Sequence, residues 1–104
     1  MIGPAAGVYF VRLFDSDNGK KIHLNVADEL QITLSEAPAA TPYSWSVASY
    51  TKSVLAYTQS NGVADPNNPQ LNIRTFIFCP RQPGQGEVKL QRGTQEWQCT
   101  VIVK

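Results

Sequence analysis

His23, Cys79 and Cys99 are the side chains of this 104-residue chain that could form a thiolate–imidazole pair or bind a soft metal. A cysteine activated by a neighbouring imidazole would attack a carbonyl. Four such ligands would close a structural zinc site, and one histidine with two cysteines falls short. His23 lies on a predicted strand far in sequence from either thiol. Asp15, Asp17, Asp28, Glu29 and Glu36 all fall at predicted turns or corners, where a solvated carboxylate is the ordinary outcome, so no acid–base pair assembles. Asp15-x-Asp17-x-Gly19 opens like a calcium loop. An EF-hand would need an oxygen ligand in place of Gly19, a glycine in place of Lys20 and a glutamate in place of Val26. The chain reads as a non-enzyme that needs no metal and no cofactor.

What remains is recognition by shape. Ala37, Pro38, Ala39, Ala40, Thr41, Pro42 and Tyr43 form an apolar connection in which two prolines each fix φ and remove a backbone donor. A loop stiffened in this way costs little to immobilise against a partner. It interrupts two alternating runs, Leu30, Ile32 and Leu34 before it and Tyr43, Trp45 and Val47 after it, so two strands must hold it.

The other elements follow from the same period of two. Val8–Phe14 and Lys20–Val26 are β-rich runs around Asn18-Gly19, a hairpin signal, and together predict an N-terminal hairpin over 8–26. Strands follow near Ser53–Thr58, over Leu71–Cys79, over Glu87–Arg92 and over Gln95–Lys104. Gln59–Gln70, dense in turn formers such as Asn61-Gly62 and Asp65-Pro66, reads as a loop. Pro80–Gly86 and Gly93-Thr94 read as turns. About eight short strands without a 3.6-residue period predict an immunoglobulin-like antiparallel β-sandwich occupying residues 1–104 as one domain. Trp45 is the expected inter-sheet anchor. Trp97, Cys99, Val101 and Val103 share the inward face of the last strand, whereas Cys79 points away from Phe76 and Phe78, so two unpaired thiols are expected.

Composition excludes several classes. The net charge is +1, charged residues make up 16%, and basic residues are scattered apart from Lys20-Lys21, so nothing attracts nucleic acid. No apolar run approaches the roughly 20 residues of a membrane helix. Met1–Gly7 lacks the charged and apolar regions of a signal peptide, which suits a chain kept inside the cell or one whose signal has been removed. A monomer is expected.

Residues 22–103 resemble the chagasin family, immunoglobulin-like inhibitors of papain-type cysteine proteases. Leu30-x-Ile32-x-Leu34-x-Glu36 leads to Ala37-Pro38, and Tyr43-Ser44-Trp45 stands at the family's Tyr-x-Trp. Phe76-x-Phe78-x-Pro80, Gly84, Val88, Leu90 and Arg92 repeat the later spacing. The family's loops depart here: Ala37 replaces Asn, Pro42 replaces Gly, the first loop is one residue longer, and Gly93-Thr94 replaces a long third excursion. The resemblance implies inhibition of a papain-type cysteine protease by insertion of Ala37–Tyr43 into its cleft. Asn61 and Gly62 of a second loop, with Arg92, Gly93 and Thr94, would grip its sides. The alternative is a non-catalytic structural or adhesion module that keeps the fold without the activity.

Overall fold

The computed structural model describes residues 10–36, 44–65 and 68–104. Eight strands run in order: β1 (Phe10–Leu13), β2 (Lys21–Leu24), β3 (Glu29–Glu36), β4 (Ser46–Tyr50), β5 (Leu55–Asp65), β6 (Asn68–Pro80), β7 (Gly84–Arg92) and β8 (Gln95–Val103). They form two four-stranded sheets, ordered β1-β3-β6-β5 and β2-β8-β7-β4. The all-β sandwich read from the sequence is therefore present. It is not antiparallel throughout, because β1 runs parallel to β3 and β2 parallel to β8.

Alternation decides which residues meet between the sheets. In β3, Leu30, Ile32, Leu34 and Glu36 are buried while Gln31, Thr33 and Ser35 are half-buried on the outer face. Phe76 and Phe78 from β6 and Val88, Leu90, Trp97, Cys99, Val101 and Val103 from β7 and β8 pack against them, with Leu13, Leu24, Trp45, Val54 and Leu55 filling the rest of the core. Fully burying a side chain of this size stabilises by about 1.5–3 kcal/mol, so these rows hold the sheets together. Tyr50 and Tyr57 seal one flank, with rings 5.5 and 5.2 Å from Phe78. Cys99 is buried in this core, which pushes its thiol up to about 12, and Cys79 lies half-buried on the outer side. Both are free thiols.

The N-terminal hairpin does not form. β1 and β2 belong to different sheets, and the segment between them crosses from one to the other. A two-residue hairpin of the favoured kind needs φ > 0 at both central residues. Asn18 instead has φ −54 and ψ 128, Gly19 has φ 85, and Lys20 N–H donates to Asp17 O at 3.0 Å. This is a type II turn. It follows a 3-10 turn over Asp15–Asp17 and is tied to β8 through Gly19 N–H to Gln98 O at 2.7 Å and Gln98 N–H to Asn18 Oδ1 at 3.0 Å. Lys20 lies 2.9 Å from Asp17 and holds its carboxyl below the usual range, with the Phe14 N–H adding to the effect.

The loop expected over Gln59–Gln70 is replaced by strand. β5 continues to Asp65 and β6 begins at Asn68, paired through Asn61 with Thr75, Gly62 with Arg74 and Val63 with Ile73. The β-formers Ile73, Thr75 and Ile77 supply a partner that overrides the Asn-Gly turn signal. Only 66 and 67 separate the two strands.

Candidate protein-binding site

The register places three connections at one end of the sandwich. In the first sheet Glu36, Asn72 and Ala64 are level, and in the second Ser46, Gln91 and Glu96 are level. From this end leave the β3–β4 connection, the distal part of the β5–β6 hairpin and the Gly93-Thr94 turn. Ala37, Pro38, Ala39, Ala40, Thr41, Pro42 and Tyr43 lie outside the described residues. The two roots of their connection are described, and they are stapled together.

Glu36 makes the staple. Continuing the inward alternation of β3, it is 3% exposed. Its Oε2 accepts the Trp45 N–H at 2.7 Å and Arg74 Nε–H at 2.8 Å. The Trp45 indole then reaches back across the gap, donating from Nε1 to Ser35 O at 2.9 Å. One buried carboxylate thus joins the last residue of β3 to the residue before β4. A charged acceptor shared by two donors is stronger than a neutral bond. Trp45 bridges the sheets as expected, at the mouth of the sandwich.

Glu36 and Asp28 correct the expectation of solvated carboxylates, since Asp28 is 7% exposed and accepts the Asn25 N–H at 2.7 Å. The period of two through Leu30, Ile32 and Leu34 already carried the signal for Glu36. Its position before a proline loop made it read as a corner instead.

Gly62 is the second piece. It faces inward opposite Arg74, and a Cβ there would lie 2.5 Å from Arg74 Nη2 and 2.8 Å from Cζ. The absent side chain leaves room for the guanidinium to reach Glu36. Asn61 is exposed on the outer face of the same strand. These two residues are therefore strand positions and not a loop tip. Arg92 corrects a further expectation: with Val88 and Leu90 it turns inward and is 8% exposed, so of the residues expected to bind there Gly93 and Thr94 present surface and Arg92 does not. An open cleft of about 340 Å³ beside them is lined by Trp45, Trp97, Asp15, Asn18 and Glu96 among others. Asp15 is committed to the Ser35 N–H at 3.1 Å, and Trp97 Nε1 donates to Phe14 O at 3.2 Å.

Among the described residues no catalytic group is assembled at this end. His23 is exposed on β2 and lies in a different sheet from Cys79; the buried Cys99 thiol is held protonated. Among the described residues no three His, Cys, Asp or Glu side chains are grouped to hold a metal ion. The end offers a shaped, braced surface.

No family model matches the chain, and no curated protein matches it in sequence. Solved structures do. A cysteine protease inhibitor from Entamoeba histolytica superposes with a TM-score of 0.77 at 17% identity, covering 98% of this chain and 100% of that one. Amebosin, solved in solution, superposes with a TM-score of 0.75 at 23% identity over the same shares. The resemblance to the chagasin family read in the sequence therefore holds at the level of the fold: the chain shares the β-sandwich of these solved structures, which cover 98% of it.

Proposed function

We propose that the chain is a non-catalytic inhibitor of papain-type cysteine proteases. In this reading Ala37–Tyr43 enters the substrate cleft, while Gly93 and Thr94 on one side and the β5–β6 hairpin, with Asn61 and Gly62, on the other restrict its approach. Affinity comes from a preformed surface, since a loop whose roots are already fixed loses little freedom on binding. The observation that carries the reading is the Glu36 staple, which closes the two ends of the proline-bounded loop at the end where the other two connections emerge. The shared fold with a cysteine protease inhibitor supports it. No nucleophile, cofactor or metal takes part.

The test is a titration of papain-type proteases with the chain at up to micromolar concentration, using a peptide substrate. Inhibition is expected, and replacing 37–43 with a glycine–serine stretch of equal length abolishes it while leaving the fold intact. Full protease activity in the presence of the folded chain refutes the proposal.

A further inference from the structure

The four edge strands are not equally protected. β1 and β2 have four residues each and carry Arg12, Lys21 and His23; β4 has five and is bulged between Val47 and Ser49. Short length, charge and bulges are the ordinary devices by which an edge refuses another strand. β5 is eleven residues long, contains no proline, and bears no charge before its last residue, Asp65. It too is irregular, between Tyr57 and Gln59 and between Ala64 and Asp65, but between these two points its pairing with β6 runs without interruption from Gln59 to Ala64. Among the described residues no strand pairs with its outward side. That side therefore offers a row of backbone donors and acceptors, and Val63 beside it is 56% exposed.

We infer that β5 is a self-association surface, and that its occupant is β5 of a second copy, antiparallel about a two-fold axis near Asn61. In a single chain this row is left to water; a second extended chain can replace that water with a continuous ladder, and two-fold symmetry makes the same strand supply both sides. Self-pairing normally fails when it sets like charges opposite each other. The neutral run Leu55–Ala64 removes that penalty. Centred on Asn61, the middle of Gln59–Val63, the pairing sets Gln59 against the second copy's Val63 and makes one eight-stranded sheet, β1-β3-β6-β5 continued by its mate. A monomer is what the sequence alone implies, because edge and interior strands look alike before the order of the sheet is known. The two copies point their loop-bearing ends in opposite directions, but the pairing takes up Asn61 and Gly62, so association and the proposed protease contact draw on the same part of β5.

Sedimentation velocity over a concentration series from micromolar to millimolar tests this with three chains: wild type, Asn61→Lys and Asn61→Glu. Wild type is expected to shift with concentration towards the two-chain particle. Each single variant stays at one chain throughout, because the two-fold axis sets its new charge against itself. An equimolar mixture of the two variants recovers the shift. Circular dichroism and tryptophan emission matching wild type establish that both variants are folded. A wild type that remains a single chain across the range overturns the inference. So do variants that associate alone as wild type does, or a mixture that fails to associate.

Discussion

Replacing Gly62 by alanine probes the brace at the loop-bearing end. Gly62 does not have positive φ, so the substitution adds no backbone strain. The added Cβ would meet Arg74 Nη2 at 2.5 Å and Cζ at 2.8 Å, where ordinary contact begins at 3.4 Å. The far end of an arginine usually moves aside cheaply, but here Nε is held 2.8 Å from the buried Glu36 carboxylate. Retreat by an ångström breaks that bond, and a hydrogen bond to a charged group is worth about 1.5–3 kcal/mol. Arg74 is a quarter exposed and regains part of this from water. Alanine also restricts the unfolded chain and fits a strand better than glycine by about 0.5–1 kcal/mol. The net expectation is a loss of about 1 kcal/mol. In an Arg74→Ala background the obstacle is gone, and Gly62→Ala should then stabilise by about 0.5 kcal/mol. The sign reversal is the signature of coupling, of about 1.5 kcal/mol in the cycle. Urea unfolding followed by the emission of the buried Trp45 and Trp97 measures all four chains, with m held constant across them. If Gly62→Ala stabilises both backgrounds equally, Arg74 does not occupy the space above Gly62 and the brace as described is wrong.

Glu36→Ala leaves the Trp45 N–H and the Arg74 guanidinium without their shared acceptor and should cost about 3 kcal/mol, a figure checked by the same urea titration; a cost below 0.5 kcal/mol (about the noise of such measurements) contradicts the staple. Gly19→Ala meets nothing within 4 Å, so its cost is purely that of φ 85, about 1–2 kcal/mol, and a neutral result would mean the type II turn is not kept. Alkali should separate wild type from Cys99→Ala. The folded thiol titrates near 12 against an ordinary 9.0, so the unfolded chain releases its proton first; stability is intact below pH 9 and falls as pH rises towards 12, by up to about 1.4 kcal/mol per unit. Cys99→Ala lacks that decline, and parallel stability curves above pH 9 refute the buried-thiol account.

The period of two made most of the framework legible. Leu30, Ile32 and Leu34, Phe76 and Phe78, and Trp97, Cys99, Val101 and Val103 all fall on the inward face where alternation puts them. Partner choice was not legible, because alternation gives the face of a strand and says nothing of its neighbour. Val8–Phe14 and Lys20–Val26 look like a hairpin until Asn18 is seen with negative φ, which sends the chain to the other sheet. Asn61-Gly62 failed for a different reason. The same dipeptide serves a turn or a glycine under a neighbouring arginine, and only the register with Arg74 tells these apart. At the candidate site the proline-bounded loop could be picked out from composition, whereas the carboxylate that closes its base was hidden by its place just before that loop, although the period of two pointed it inward.

The two thiols differ in a way that is useful at the bench. Cys79 pairs with Ala56 towards the end of the sandwich opposite the stapled loop, and it is partly open to solvent, while Cys99 is sealed between the sheets. A maleimide offered near neutral pH therefore has one address on the native molecule. A dye or surface tether fixed there would hold the protein by its tail and leave the stapled end facing outward, clear of the attachment.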